Sequence, residues 1–312
     1  MDFSFTDEQI DLREMVVKFA RHELDYDLSE LEKDGAVPSE AWRKCADMQF
    51  LGLPFAEKYG GGESDFLTSA IVLNALGYAF KDGGLVHAIA TQVLCGLQIS
   101  MFGSEEQKLA YLPALCSGEK IFAQAITEPD SGSDAMSMRA RAVKNDDGYV
   151  LNGTKMFITN GPIADVVVVF AVTDPAKRTL GGISCCIVEK GFDGFQQCPP
   201  IRKMGLSTLQ NGELVFDDCP VPEGNLLGKE GQGGMIFNES MEWERCYLPA
   251  AHLGTMERVL EISTNYAKER KAFGQSIGKF QSVSNKIAEM KMRLEIGKLI
   301  CWKAAHLKDQ NK

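Results

Sequence analysis

"L-N-G-T-K-M-F-I-T-N-G", residues 151 to 161, sets the character of this chain. Its first residue ends a short β-rich run, Tyr149 to Leu151, preceded by N-D-D-G at 145 to 148. That tetrapeptide reads as a hairpin turn joining the run to Ala140–Val143. The stretch then mixes an aromatic with Thr and Asn before Gly161, the composition of a strand end with polar capping residues. On either side, short β-rich runs between turn signals extend from Ile121 to about residue 230, at Val166 to Val172, Ser184 to Val188 and Glu213 to Phe216.

The pattern on both flanks is helical. Thr6 begins T-D-E-Q, a capping box with Gln9 at its fourth position, and Ile10, Leu12, Met15, Val16 and Phe19 follow at helical spacing. Leu67 to Phe80 and Leu85 to Phe102 predict two long apolar helices separated by K-D-G-G. Ser104 and Gln107 form a second capping box, opening a helix that ends near Cys116-Ser117-Gly118. Helical spacing returns at Met235 and runs to the end. Helices, then a sheet module, then helices argue for an α+β fold rather than alternating βαβ units. The expected domains are 1–120, all helical; 121–230, β; and 231–312, helical.

Composition narrows the function. The 312 residues carry a net charge of -10, which disfavours a nucleic-acid footprint of clustered Lys and Arg. The acidic start, M-D-F-S-F-T-D-E-Q, has no basic segment followed by an apolar run, so no signal peptide is expected. Apolar stretches such as Ile163 to Val172 are interrupted by Asp165 and too short to span a bilayer. Nine scattered cysteines without a C-x-x-C pair read as buried free thiols of a cytoplasmic protein, and four dispersed histidines suggest no metal site.

Two further stretches carry chemistry. I-T-E-P-D-S-G-S-D, residues 126 to 134, has the turn residues Pro129 and Gly132 among Thr127, Ser131, Ser133 and Asp134. Such a loop is either a plain surface turn or a small anion nest for a phosphate. Neither G-x-G-x-x-G nor G-x-x-x-x-G-K-[ST] occurs. M-E-W-E-R-C-Y-L, residues 241 to 248, places Glu244 beside Arg245 just before the apolar run Pro249, Ala250, Ala251, Leu253, Gly254. Adjacent helix residues point about 100° apart, so the two cannot pair across a helix face and each must answer to something else.

Read in order, I-T-E-P-D-S-G-S-D, L-N-G-T-K-M-F-I-T-N-G, G-E-L-V-F-D-D-C-P-V-P-E-G-N-L-L-G (212 to 228) and E-R-K-A-F-G-Q (269 to 275) resemble the acyl-CoA dehydrogenase family over the whole chain. The resemblance implies that family's fold: an N-terminal helical domain, a central β-sheet or barrel domain and a C-terminal helical bundle. Members continue past the equivalent of Lys312, so the bundle is expected to be incomplete here. It implies FAD as cofactor and removal of two hydrogens from Cα and Cβ of an acyl thioester. By the same resemblance Ile126, Thr127, Gly132 and Ser133 match positions holding the flavin edge and pyrophosphate, and Phe157 the aromatic over the isoalloxazine. Ile158 and Thr159 match residues beside N5, and Arg270, Phe273 and Gln275 a loop reaching a neighbouring subunit's FAD.

Members place the catalytic glutamate in a late loop or in a helix immediately before an arginine; Glu244-Arg245 matches the second arrangement. Glu244 is then the base aimed at Cα, with Ser133, Met241 and Arg245 at the substrate. A thioester Cα–H is weakly acidic, so hydrogen bonds to the thioester oxygen must stabilise the developing enolate. The wording M-E-W-E-R-C-Y-L-P-A-A-H-L-G-T-M-E-R resembles a branch acting on acyl groups tethered to carrier proteins, including prolyl-carrier-protein dehydrogenases. The expected partners are an acyl thioester on CoA or a carrier protein, an electron-transfer acceptor, and three further copies in a homotetramer, with no nucleic acid or membrane. The rival readings are a non-catalytic acyl- and flavin-binding protein of the same fold, and an acyl-CoA oxidase.

Overall fold

The computed structural model describes residues 4–177 and 181–310. Both capping boxes form: Thr6 opens α1 (Asp7–Glu23), and its hydroxyl and the Gln9 side chain satisfy each other's backbone N–H groups. Next come α2 (Leu28–Asp34), α3 (Ser39–Asp47), α4 (Phe66–Ala79) and α5 (Gly83–Phe102). Ser104 and Gln107 repeat the box at α6 (Glu105–Cys116). Eight strands follow, β1 (Phe122–Ala125), β2 (Arg141–Asn145), β3 (Gly148–Thr159), β4 (Val166–Val172), β5 (Ile183–Glu189), β6 (Phe195–Gln197), β7 (Asn211–Pro222) and β8 (Leu226–Leu227). The chain closes with the long α7 (Gly233–Glu269), a hairpin of β9 (Lys271–Ala272) and β10 (Gln275–Ser276), and α8 (Gln281–Asp309). The sequence reading of apolar stretches too short for a bilayer needs correcting at α5. That helix is long and apolar enough to cross one. Its most apolar stretch is nevertheless 72% buried within the protein, as in a core helix.

The chain divides into two compact units. One comprises Met1–Tyr26, Asp65–Val86 and Arg245–Lys312. Here α1 packs on α4 and α4 on α8. The apolar run after Arg245 is explained by the crossing of α4 with α7. A Cβ on Gly77 would sit 2.0 Å from the Ala251 carbonyl oxygen, and one on Gly254 2.0 Å from that of Asn74. Asn74, itself buried, donates from Nδ2 to the Ala250 carbonyl at 3.1 Å. The two backbones touch, and only glycine fits at these two points. Gly77→Ala is therefore expected to destabilise the protein by about 3 kcal/mol, since a backbone carbonyl cannot yield as a side chain can. A thermal unfolding midpoint unchanged from wild type would contradict this.

The other unit comprises Asp27–Ser64 and His87–Glu244. Its sheet runs β6-β7-β3-β2-β4-β5-β8, with β1 joined parallel to β4. The N-D-D-G turn makes the expected β2–β3 hairpin, register Asn145 to Gly148. β4 and β5 bury six of their seven residues each, so both of their faces are covered and both Cys185 and Cys186 lie inside. All nine cysteines are free, eight of them buried.

Candidate active site

The loop 126–140 is organised by an ion pair with almost no exposure. Lys155 on β3 is 0% exposed, and its ammonium donates to the Ile126 carbonyl at 2.9 Å and to Glu128 Oε1 at 2.8 Å. Glu128 accepts in turn from the backbone N–H groups of Arg139 (2.6 Å) and Ala140 (2.9 Å). Met156 N–H donates to the Thr127 carbonyl at 2.8 Å, so the loop is sewn to β3 by main chain as well. Glu128 and Lys155 lie inside the two stretches that carried most weight in the sequence, yet sequence reasoning gave them no role. The available signal was Lys155, the one charged residue of 151–161; Glu128 is one of three acidic residues in its loop, so nothing singled it out.

This scaffold places the expected flavin residues together. Ile126 and Thr127 are half-buried at its base, and Gly132 and Ser133 are exposed at its tip. A Cβ on Gly132 would meet nothing within 4 Å, so packing within the chain does not demand glycine there. A backbone left open to close approach is what a pyrophosphate needs. On β3, the register against β7 shifts between Lys155 and Ile158. Phe157 occupies that bulge with φ 59°. This is a costly conformation for an aromatic residue at an irregularity in the ladder. The residue stays 58% exposed. Asn211 helps hold it there, donating to the Phe157 carbonyl at 2.8 Å. A strained backbone that holds a large apolar ring in solvent suits a planar ligand. Ile158 is turned into the sheet core, 2% exposed, so only its main chain is available to a cofactor; Thr159 is half-buried beside it.

Glu244 is set by its place on α7. Gly233 lies against β5, where a Cβ would come within 2.7 Å of Ile183. Phe237 packs edge-on against Phe170 of β4, centroids 6.2 Å apart. Ser240 accepts from Gln124 Nε2 of β1 at 3.2 Å. Positions 233, 237, 240 and 244 fall within about 60° on a helical wheel, so Glu244 belongs to the stripe that faces the sheet. Its charge also reaches α5: Cys95 is raised first by burial and then by Glu244. Met241 is half-buried one turn before it. Arg245, rotated about 100° from that stripe, is exposed. The neighbouring charges thus do answer to different surroundings.

Arg270, Phe273 and Gln275 lie in the other unit, around the β9–β10 hairpin. Phe273 and Gly274 both have positive φ, 50° and 81°. Positive φ at two successive residues is the pattern of a two-residue hairpin turn. Phe273 is 96% exposed and touches Phe280 edge-on at 6.1 Å. Arg270 is exposed and Gln275 half-buried.

The open loop and the exposed Phe157 offer surfaces that would fit FAD; the comparisons identify the family. Models of the acyl-CoA dehydrogenase N-terminal, middle and C-terminal domains match residues 6–119, 123–219 and 231–312. An L-prolyl-[peptidyl-carrier protein] dehydrogenase of Serratia sp. (strain ATCC 39006) is 40% identical over 311 residues, 99% of this chain and 80% of that one. Among solved structures, the prolyl acyl carrier protein oxidase AnaB is 44% identical with a TM-score of 0.97, covering 99% of this chain and 82% of the other. PigA with FAD and proline is 39% identical with a TM-score of 0.95, covering 100% and 82%. A helix–sheet–helix chain matched by all three domain models, with an open loop and an exposed aromatic suited to a flavin, belongs to the acyl-CoA dehydrogenase family.

Proposed function

We propose that this chain dehydrogenates the acyl group of a carrier-protein thioester, a prolyl thioester being the class named for the Serratia relative, with Glu244 as the base. The reaction class is the FAD-dependent α,β-dehydrogenation of an acyl thioester. The observation that carries the assignment of the base is the placement of Glu244 on the sheet-facing stripe of α7, pinned one turn earlier by Ser240 and Gln124. Its carboxylate would take the Cα proton, and FAD, when bound, would supply the acceptor for the Cβ hydride. The loop 126–134 and Phe157 would hold the flavin, Ile158 and Thr159 would line its reactive edge, and Ser133, Met241 and Arg245 would contact the substrate. The three-part division at 120 and 230 remains our reading, and the free thiols fit a cytoplasmic setting.

The test is a rate comparison between one acyl group on a carrier protein and the same group on CoA. Faster oxidation of the carrier-bound form is expected; a preference for CoA would overturn that half of the proposal. Similarity to a protein called an oxidase favours a second reading, in which dioxygen rather than an electron-transfer protein accepts the electrons. Oxygen uptake stoichiometric with turnover would select it.

We also propose a homotetramer in which Arg270, Phe273 and Gln275 reach a neighbour's FAD. Exposed apolar side chains at Ile262, Tyr266, Met292 and Ile300 support association. So does Phe273, a strained aromatic held in solvent. Phe273→Gly should raise the stability of the fold by about 1 kcal/mol by relieving the positive φ, while weakening flavin retention. Stability and flavin affinity moving in the same direction would contradict a ligand role.

A further inference from the structure

At the crossing of α7 and α8, both within one unit, two cysteines face each other. Cys246 Sγ lies 3.4 Å from the Cys301 carbonyl oxygen, and Cys301 Sγ lies 3.4 Å from that of Cys246. Both residues are buried, 7% and 5% exposed. Reciprocal contacts of this length turn each Cβ toward the opposite backbone across a narrow gap, the approach a disulfide requires. Small residues let the helices close. Ala250 and Ala305, each one turn along, are fully buried, and Gly297 comes so close to Leu253 that a Cβ there would lie 2.7 Å from Cδ2. Pairing 246 with 301 and 253 with 297 makes the crossing antiparallel.

We propose that Cys246 and Cys301 are a modification site, a reversible intramolecular disulfide that staples α7 to α8 two residues beyond Glu244. With hydrogen peroxide as the oxidant, the Cys246 thiolate attacks one peroxide oxygen and hydroxide leaves, giving a sulfenic acid. The Cys301 sulfur then attacks that sulfur, the S–S bond forms and the hydroxyl departs as water after taking up a proton. Two thiols and one peroxide give one disulfide and two waters; a dithiol reductant reverses the bond by exchange. The reciprocal contacts let either sulfur be oxidised first, and the route through Cys301 gives the same product. Cys301 donates toward Cys246, which holds the Cys246 thiol below its ordinary value against burial and the charge of Asp309, while the same contact raises Cys301. Elsewhere burial pushes the thiols of Cys45, Cys116 and Cys186 up to about 12, which disfavours their thiolates. The two cysteines stand far apart along the chain, so the bond would close a long loop and restrict the unfolded state strongly.

The experiment treats the FAD-loaded chain with hydrogen peroxide, blocks free thiols after denaturation and digests without reductant. Mass spectrometry should find the Cys246 and Cys301 peptides linked and two hydrogens lighter than their sum, with the link lost on adding dithiothreitol. Cys301→Ser treated identically should give no such peptide and a lower unfolding midpoint than the oxidised wild type. Linkage of another pair, such as Cys95 with Cys185, would overturn the proposal. Recovery of Cys246 and Cys301 both alkylated, or both as sulfinic or sulfonic acids, would overturn it too. Should Cys301→Ser fail to fold, a wild-type time course decides: two free thiols should be lost for each linked peptide formed.

Discussion

Glu244→Gln is expected to lower the rate of substrate-dependent flavin bleaching by a factor on the order of 10² to 10⁴, the usual contribution of a positioned general base. The amide keeps nearly the same volume and can still hydrogen-bond, but it cannot take the Cα proton. Flavin binding should persist, because the loop 126–140 is held by Lys155 and Glu128 rather than by α7. Glu244→Asp should retain more activity than Gln, although shortening the arm by one methylene misplaces the carboxylate and costs rate by misorientation. Arg245→Ala should weaken substrate binding without abolishing proton transfer, since its exposed side chain points away from the stripe that carries Glu244. The decisive measurement is anaerobic mixing of the Gln variant with an acyl thioester while following oxidised-flavin absorbance. Bleaching at the wild-type rate would place the base elsewhere.

Lys155→Met should have the largest effect on stability. It removes the cation from a pair whose side chains are 0% and 4% exposed, leaving the Glu128 carboxylate buried without its partner. Breaking such a pair from one side costs about 3–5 kcal/mol, chiefly through the uncompensated charge that remains. Flavin retention should fall with it, because the Ile126 carbonyl also loses its donor. Lys155→Met with Glu128→Gln should recover part of the loss, the amide oxygen still accepting from one backbone N–H while carrying no charge.

The pH dependence has a definite sign. Burial works against ionisation of Glu128, but Lys155 and the two backbone donors outweigh it and hold the carboxyl below its ordinary value of 4.5. In the wild type this stabilisation is complete above that value and is lost as pH falls through the lower folded one. In Lys155→Met, burial raises the carboxyl instead, so protonation relieves the penalty. The stability gap between the two proteins should therefore narrow between about pH 7 and about pH 4, read as urea midpoints. A gap independent of pH would mean that packing of the lysine stem, and not charge, sets the cost.

Much of the fold was legible because it is local. The capping boxes at Thr6 and Ser104 close over three residues, and the N-D-D-G turn joins neighbours, so the interactions that make them are spelled out in adjacent letters. The apolar helices α4 and α5 and the buried strands β4 and β5 were equally plain from their composition. β1 was not, because its partner β4 lies across the hairpin of β2 and β3 and its four residues carry no pattern of their own. The short β6 was missed, and α2 and α3 were not singled out within the helical segment 1–120, although Asp27 caps the start of α2 and Gly35, at φ 63°, ends it.

The site divides along the same line. The letters alone name the residues proposed to carry the chemistry: the polar turn at 126–134, the aromatic Phe157 and the pair Glu244-Arg245, together with the family they resemble. Which of them face one another is a matter of long-range packing. Lys155 and Glu128 pair across 27 positions, and Gln124 reaches Ser240 across 116. The spacing 233, 237, 240, 244 was present in the letters, but nothing there says on which side of α7 the sheet lies. A helix offers every direction in turn, and the packed sheet selects the one in which position 244 falls on the stripe of Gly233, Phe237 and Ser240 while Arg245 is exposed. The left-handed backbone of Phe157 has the same origin. A strained conformation is invisible to local preference, because it persists only where the surrounding strands over-determine it.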